Sequence, residues 1–506
     1  MGDCAIPTDY GAADVLRPTV SERRVIWSQI IAVNVNNIMV LANGMVAGYP
    51  TVLIPSLYDE KINSQSGITE DQISWIGSIG FTCSLLGCLV SGMITQPFGR
   101  ARAIRLACPV LVAAWLIFLL ANEMWQIYLA LCFCGLSSSL VEAPIIAYKA
   151  EVSQPHLRGM LSATTSLCCV IGVLIQFTLG TFLHWRTVAA ISSAFPLLAF
   201  VLLFFIPESP HWLIMRGKKE TAHKNLAWLR GWTTLDEVEG EFLTLCGRCD
   251  TEQEAKASSS REAVRGSMFK KYMEKRFLWP LSLVCFIFFL SHFNGSCTLQ
   301  TYAVSIFTTM KAPMDEFYAT VMLGFTQVVG CFLSLFVVKY CGKRVMGMAS
   351  LGAVGICNVA VGAYAFIIGV PYLKWDDEGA TFQMAPYAWI PLCLLLLLSL
   401  IANTGIRVLP WILLGEVFPH ETRATGCGIG SASYYLFIFI SNKLFIIMVN
   451  AMTIFGVYEL YAAISVVGAL IMYFGLPETE GKDLDDVIDH FSEVSKLDNR
   501  VKKREQ

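Results

Sequence analysis

The sequence predicts an all-α membrane protein with twelve transmembrane helices in two six-helix, pseudo-symmetric halves. Three observations predict it. The 506 residues are 55% hydrophobic and only 15% charged, too apolar for a water-soluble chain of this length. Stretches long enough to cross a hydrocarbon core, roughly 20 apolar residues each, recur from Val25 to Phe474. Short polar sequences also recur at matching places in the two parts of the chain.

The first twenty residues are polar, carry Pro7 and Pro18 and lack an apolar core. No cleavable signal is expected, so residues 1–27 read as a cytosolic N-terminus and the first span directs its own insertion. Spans 1 to 6 are expected near 28–55, 72–96, 104–122, 125–148, 160–183 and 187–206, which makes 28–206 the N-terminal half. A hydrophilic stretch follows over 207–277, with a helical pattern from Lys218 to Arg230 and a dense basic run from Arg261 to Arg276; it reads as a cytosolic helical linker. Spans 7 to 12 are expected near 278–308, 316–338, 345–370, 386–414, 427–450 and 455–476, the C-terminal half, with 477–506 as a cytosolic tail.

Orientation comes from the loops, because cytosolic loops carry the excess of Lys and Arg. Arg23, Arg24, Arg100, Arg102, Lys149, Arg158, Lys343, Arg344 and Arg423 fall on one side, whereas the loop from Tyr58 to Asp71 has only Lys61 and the one from Lys374 to Glu378 is mainly acidic. Both termini are therefore expected inside. Of the 17 cysteines, most sit in apolar runs, such as Cys132, Cys134, Cys168, Cys169 and Cys331, and read as small packing residues rather than disulfide partners. The net charge of -2 says little about partners. A small solute and the bilayer are expected ones, nucleic acid is not, no cofactor or metal is implied, and the oligomeric state is open.

The internal repeat is the most specific signal. Glu151-Val-Ser-Gln-Pro-His-Leu-Arg158 after span 4 returns as Glu416-Val-Phe-Pro-His-Glu-Thr-Arg423 after span 10, with the same Glu-to-Arg spacing. Gly99-Arg100 after span 2 matches Gly342-Lys343-Arg344 after span 8, and Pro207-Glu208-Ser209-Pro210 after span 6 matches Pro477-Glu478-Thr479-Glu480 after span 12. Parallel repeats of this kind are the arrangement of the major facilitator transporters, with the substrate site between the halves near the midplane. Carboxylates and guanidiniums at these helix ends, Arg100, Glu151, Arg158, Glu208, Arg344, Glu416, Arg423 and Glu478, are expected to pair across helices and halves and latch the inner side shut.

These residues resemble the sugar porter family, whose cytosolic signatures read PESPHWL, Glu-x6-Arg twice and PETEG in this chain, with an overall likeness to the insect trehalose and hexose transporters. Leu409-Pro410-Trp411 is similar to the family's helix-10 motif, and Tyr302-Ala-Val-Ser-Ile-Phe307 to its helix-7 ending. The resemblance implies alternating access and a sugar or similar polar solute, without chemistry on it, at the plasma membrane. It also implies a pocket drawn from Ser166, His292, Tyr302, Gln327, Asn403, Trp411 and Tyr434. Several of these depart from the family: its paired glutamines are Ser291 and His292, its helix-7 asparagine is Cys297, its helix-5 glutamine is Ser166, and its helix-11 Asn-Trp is Tyr434-Tyr435. Family members that couple to protons carry a helix-1 aspartate after Gly-Tyr; here Pro50 follows Gly48-Tyr49, so facilitated diffusion is expected. A transporter-derived nutrient receptor and a transporter of a charged organic solute are the alternatives. Asn294-Gly295-Ser296 is formally a glycosylation sequon, but within span 7 it is out of reach of that machinery.

Two charges fall outside the family pattern, Glu142 in span 4 and Arg407 in span 10. Each stands the same interval before its motif glutamate, about 13 Å deeper along a regular helix. A charge at that depth costs roughly 2.5–3.5 kcal/mol on insertion scales. The two are expected to pair across the cavity, to face the solute, or to bond locally within their own halves.

Overall fold

The computed structural model describes residues 21–60, 68–263, 272–375, 387–418, 422–480, 482 and 490–491. These residues are mostly helical, with no strand among them. Eleven of the described helices are long and apolar enough to cross a membrane. The last, Thr425–Gly475, has 51 residues, about 77 Å if straight, more than two crossings of a ~30 Å core. It breaks at Thr453, where φ is 67°, and supplies spans 11 and 12. Twelve crossings result. In order they are Glu22–Glu60, Glu70–Phe98, Arg100–Leu120, Met124–Val152, Pro155–Phe182, Trp185–Leu202, 275–309, Glu316–Cys341, Lys343–Ile367, Trp389–Glu416, and the two parts of Arg423–Gly475.

Local chemistry sets several ends. Thr69 and Gln72 form a capping box at the start of span 2, each side chain bonding the other's backbone N–H. Asp315 accepts from the N–H groups of Phe317 and Tyr318 at the start of span 8. Spans 2 and 8 both end on a glycine with positive φ, Gly99 at 98° and Gly342 at 80°, a conformation that a side chain would disfavour. Between the halves lie three helices, Pro210–Met215, Lys219–Leu229 and Leu235–Ala263. Much of the basic run expected from Arg261 to Arg276, and the expected tail beyond 482, lie outside the described residues apart from Trp279's contacts with His490 and Phe491.

Three spans are not the continuous helices that hydropathy suggests. Span 2 is Glu70–Ile76 and Ile79–Phe98, interrupted at Gly77 and Ser78. Span 7 is Lys275–His292, Ser296–Thr301 and Ala303–Thr309. At its first break Gly295 has φ 84°, and the side-chain oxygen of the fully buried Asn294 accepts from the Ser296 N–H at 3.0 Å and hydroxyl at 2.7 Å. The Asn358 amide donates to the freed Asn294 carbonyl. Non-helical backbone at membrane depth is tolerated where it is satisfied in this way. Span 10 is Trp389–Thr404 and Leu409–Glu416, and across the gap the Arg407 N–H reaches back to Ala402 O.

Within the N-terminal half, small residues let backbones touch. A Cβ on Gly44 would lie 2.0 Å from Cys169 O, and one on Gly172 2.1 Å from Leu41 O, so spans 1 and 5 meet backbone to backbone. Gly135 of span 4 meets Gly80 O of span 2 in the same way, at 1.9 Å. Replacing Gly172 by leucine should separate spans 1 and 5 at a cost of about 1–3 kcal/mol or more. Thermal unfolding of the purified protein in detergent checks this; a midpoint equal to that of the parent would show that the crossing is not close.

Candidate functional site

At the end of the spans that face the linker helices, each half carries the same polar cluster. In the first, the Glu208 carboxylate sits over the start of span 3 and accepts from the N–H groups of Arg100 and Ala101 at 2.9 Å and Arg102 at 3.2 Å. The Arg100 guanidinium then reaches Glu151, at 3.1 and 2.8 Å, and the Ser209 hydroxyl also donates to Glu151. In the second, Glu478 accepts from the N–H groups of Lys343 at 3.0 Å and Arg344 at 3.1 Å at the start of span 9. Lys343 Nζ holds Glu416 at 2.9 and 2.7 Å, and Thr479 donates to Glu416 at 3.2 Å. A carboxylate at a helix N-terminus is favoured by the free N–H groups and the helix dipole.

The residue opposite Glu416 is therefore Lys343 and not Arg344, whose guanidinium turns to the Tyr473 carbonyl and ring. Consecutive helical residues point about 100° apart, and only the first after the glycine faces the glutamate. The second cluster also has Glu480, 2.8 Å from Lys343. The described ion pairs here join helices within one half. The side chains of Arg158 and Arg423 lie outside the described residues.

Contacts between the halves concentrate at the opposite end. Lys443 Nζ of span 11 is 2.7 Å from both Asp71 and Ser74 of span 2 and lies over the Trp75 ring at 4.1 Å. Asn450 donates to Glu70 at 2.6 Å, Asn442 to Gly77 O at 3.0 Å, Thr51 to Gln300 O at 2.6 Å and Thr181 to Phe317 O at 3.4 Å. Tyr302 belongs to this seal: its hydroxyl donates to Asn442 O, its ring stacks on Phe445, and a Cβ on Gly77 would lie 2.7 Å from its oxygen.

Of the pocket residues expected from sequence, the structure brings three together. Tyr434 lies edge-on to His292 at 4.8 Å and to Trp411 at 4.9 Å between ring centroids, and Phe288 closes the group at 5.3 Å from Trp411. His292 is buried, its Nδ1 2.7 Å from Phe288 O. Asn403 and Gln327 are buried on spans 10 and 8, where a Cβ on Gly330 would lie 3.0 Å from that of Asn403. Asn403 donates to Ser399 O, while the Gln327 amide has no partner among the described residues. Ser166 is exposed on span 5 with no side-chain partner there.

Glu142 and Arg407 do not pair with one another. The Glu142 carboxylate accepts from Tyr435 at 2.7 Å and Ser431 at 3.3 Å, both on span 11 of the other half. Arg407 donates to the Gln300 side chain at 3.0 Å within its own half. The reason is the break in span 10, where the wide turn to Ala402 takes Arg407 off the regular helical register that Glu142 keeps on unbroken span 4. Gln300, Ser431 and Lys443 escaped the sequence reading, and Tyr435 entered it only as half of the altered helix-11 pair. Lys443 had a signal, a charge inside an apolar run, whereas Ser431 and Gln300 had none.

The clusters at the linker side predict unequal costs. Lys343→Met leaves Glu416 and Glu480 facing one another without their cation, while Glu478 keeps its backbone N–H bonds, and should destabilise the protein by about 2–3 kcal/mol, less than for a fully buried pair because Glu416 is 38% exposed. Glu480→Gln should cost under about 1 kcal/mol. Thermal unfolding of both variants checks the order, and equal losses would contradict it.

A family model described as "Sugar (and other) transporter" matches residues 30–491. The facilitated trehalose transporter Tret1 of Bombyx mori is 26% identical over 93% of this chain and 88% of its own length. Tret1 of Drosophila yakuba is 27% identical, and this chain covers 53% of it; several such relatives are about twice as long as the stretch matched. Among solved structures, the E. coli xylose transporter XylE in a partially occluded inward-open conformation aligns over 90% of this chain and 100% of its own, with a TM-score of 0.69 and 20% identity. XylE bound to 6-bromo-6-deoxy-D-glucose also gives 0.69, at 19% identity.

Proposed function

The chain belongs to the sugar (and other) transporter family, and on that premise we propose that it moves a sugar, trehalose or a hexose, across the plasma membrane by facilitated diffusion. The observation that carries the reading is the sidedness of the contacts between the halves. The seal of Lys443, Asp71, Glu70, Asn450 and Tyr302 closes one end. Towards the linker, the described ties between halves reach no further than Glu142 with Tyr435 and Cys88 with Gly428. A protein built in this way opens on one side at a time.

We place the linker side in the cytosol, with both termini, from the Lys and Arg excess of its loops. The state is then inward-facing. In the reverse state the halves rock about the centre, the Lys443 seal parts, and the linker-side clusters, each a rigid group within its half, approach one another. The solute sits between, with the Tyr434, Trp411 and His292 rings against its apolar faces and the Gln327 and Asn403 amides for its hydroxyls. No bond in the solute is made or broken.

Between Glu22 and Asp59 span 1 has no carboxylate, so no group there exchanges a proton during the cycle. Uptake into proteoliposomes should equilibrate a neutral sugar without concentrating it, and a protonophore should change neither rate nor extent. Accumulation that a protonophore collapses would contradict uniport and implicate Glu142.

The seal supplies a second test. Lys443→Ala removes the charge that ties span 11 to Asp71 and should shift the population towards the outward-open state. Labelling of cavity cysteines from the outside should rise several-fold. Unchanged labelling, with normal surface expression, would show that the seal does not set the equilibrium.

A further inference from the structure

Arg407 is a cation in mid-membrane whose partners leave its charge unanswered. One N–H goes to the Gln300 side-chain oxygen, a neutral acceptor. The other guanidinium nitrogens have no partner among the described residues and are not sealed from solvent. Among the described residues no carboxylate lies within ion-pair distance; Glu142, the other charge at this depth, is held by Tyr435 and Ser431, although its field also reaches Tyr434 and Cys169. A half-helix, Leu409–Glu416, begins just beyond Arg407, and its positive end adds to the charge. The guanidinium lies within electrostatic reach of His292, Cys297 and Tyr434 in its own half and of Cys169 across the interface, so it borders the aromatic group already assigned to the solute.

A charge that costs a few kcal/mol to insert, and that open space rather than a counter-ion faces, is suited to a ligand that brings the opposite charge. The planar guanidinium fits a carboxylate, to which it offers parallel N–H donors. Resting on the transport reading, we propose that the central site takes an anionic sugar, a hydroxylated ring bearing a carboxylate such as a hexuronate. Arg407 binds the carboxylate, the Tyr434 and Trp411 rings cover the sugar's apolar faces, and Gln300 fixes the guanidinium. Small residues where sugar porters carry amides, Ser166 and Cys297, agree with a site that has exchanged hydrogen-bonding contacts for a charge.

Movement of such a solute by uniport carries charge, which neutral sugars do not. The full chain in proteoliposomes should be offered radiolabelled D-glucuronate, D-glucose and trehalose, with an inside-positive potential set by potassium and valinomycin. Glucuronate is expected to accumulate, by up to about fifty-fold at 100 mV, while neutral sugars at most equilibrate. Arg407→Gln should lower the ratio of glucuronate to neutral-sugar uptake at least tenfold, and Arg407→Lys should keep it within about threefold. Because a ratio is read, partial loss of folded protein does not mimic the result. Glucose or trehalose entry without glucuronate entry, or a ratio unmoved in Arg407→Gln, would overturn the inference and leave the transport reading standing. Failure of all three solutes to move would sink both.

Discussion

A carboxylate seated over the first backbone N–H groups of a neighbouring span is the interaction on which the rest of this structure depends. Glu208 holds the start of span 3 and Glu478 the start of span 9. In each half this joins the end of the sixth span to the turn between the second and third. It also sets the direction of the next side chain, Arg100 or Lys343, which grips the glutamate at the end of the fourth span. Three helix ends are thereby fixed by one acid. The turn needs a glycine with positive φ, since a Cβ on Gly99 would fall 2.7 Å from the Glu208 carboxylate. With each half tied internally at this end, and spans 1 and 5 in backbone contact at Gly44 and Gly172, the weak plane is the one between the halves.

That plane is more polar than the cores beside it. Some of the hydrogen bonds that cross it involve exposed partners such as Asp71, Glu70 and Asn450, which lose little when water replaces them, whereas Thr51 to Gln300 O and Asn442 to Gly77 O are buried. Glu142 is the charged group among the buried ones. Its bonds to Tyr435 and Ser431 cross the plane near the midpoint, and parting them requires water or a solute to take over a buried carboxylate. The broken spans 7 and 10 lie in the same region, so backbone freedom, charge and aromatic surface meet where a solute passes.

Much of the fold was legible because a bilayer leaves few choices: an apolar stretch of sufficient length must be a helix. The repeated Glu, Arg and Pro-Glu sequences then located the linker-side clusters. Hydropathy does not report continuity, so Gly295 and Gly405 passed as ordinary small residues in apolar runs although the helix stops at both. The choice between Lys343 and Arg344 depended on helical phase, which adjacent residues do not reveal. Pairing of Glu142 with Arg407, one of the three arrangements expected from sequence, is absent for the same reason, since equivalent positions in a repeat are equivalent in space only if both helices keep their register. Tyr302 resembled a pocket residue by motif but serves the seal, because the break in span 7 turns its ring towards Phe445.

The central claim is that two internally tied halves move against each other, and distances between spin labels test it most directly. Labels carried by an unnatural amino acid avoid the 17 native cysteines. One pair would join Phe98 of span 2 to Met160 of span 5, within the first half, and the other Phe98 to Thr425 at the start of span 11, across the interface. In Lys443→Ala the distance across the interface should shorten by several ångströms while the distance within the half keeps one narrow distribution. Equal shifts in both pairs would show that the halves themselves deform, and would contradict the account.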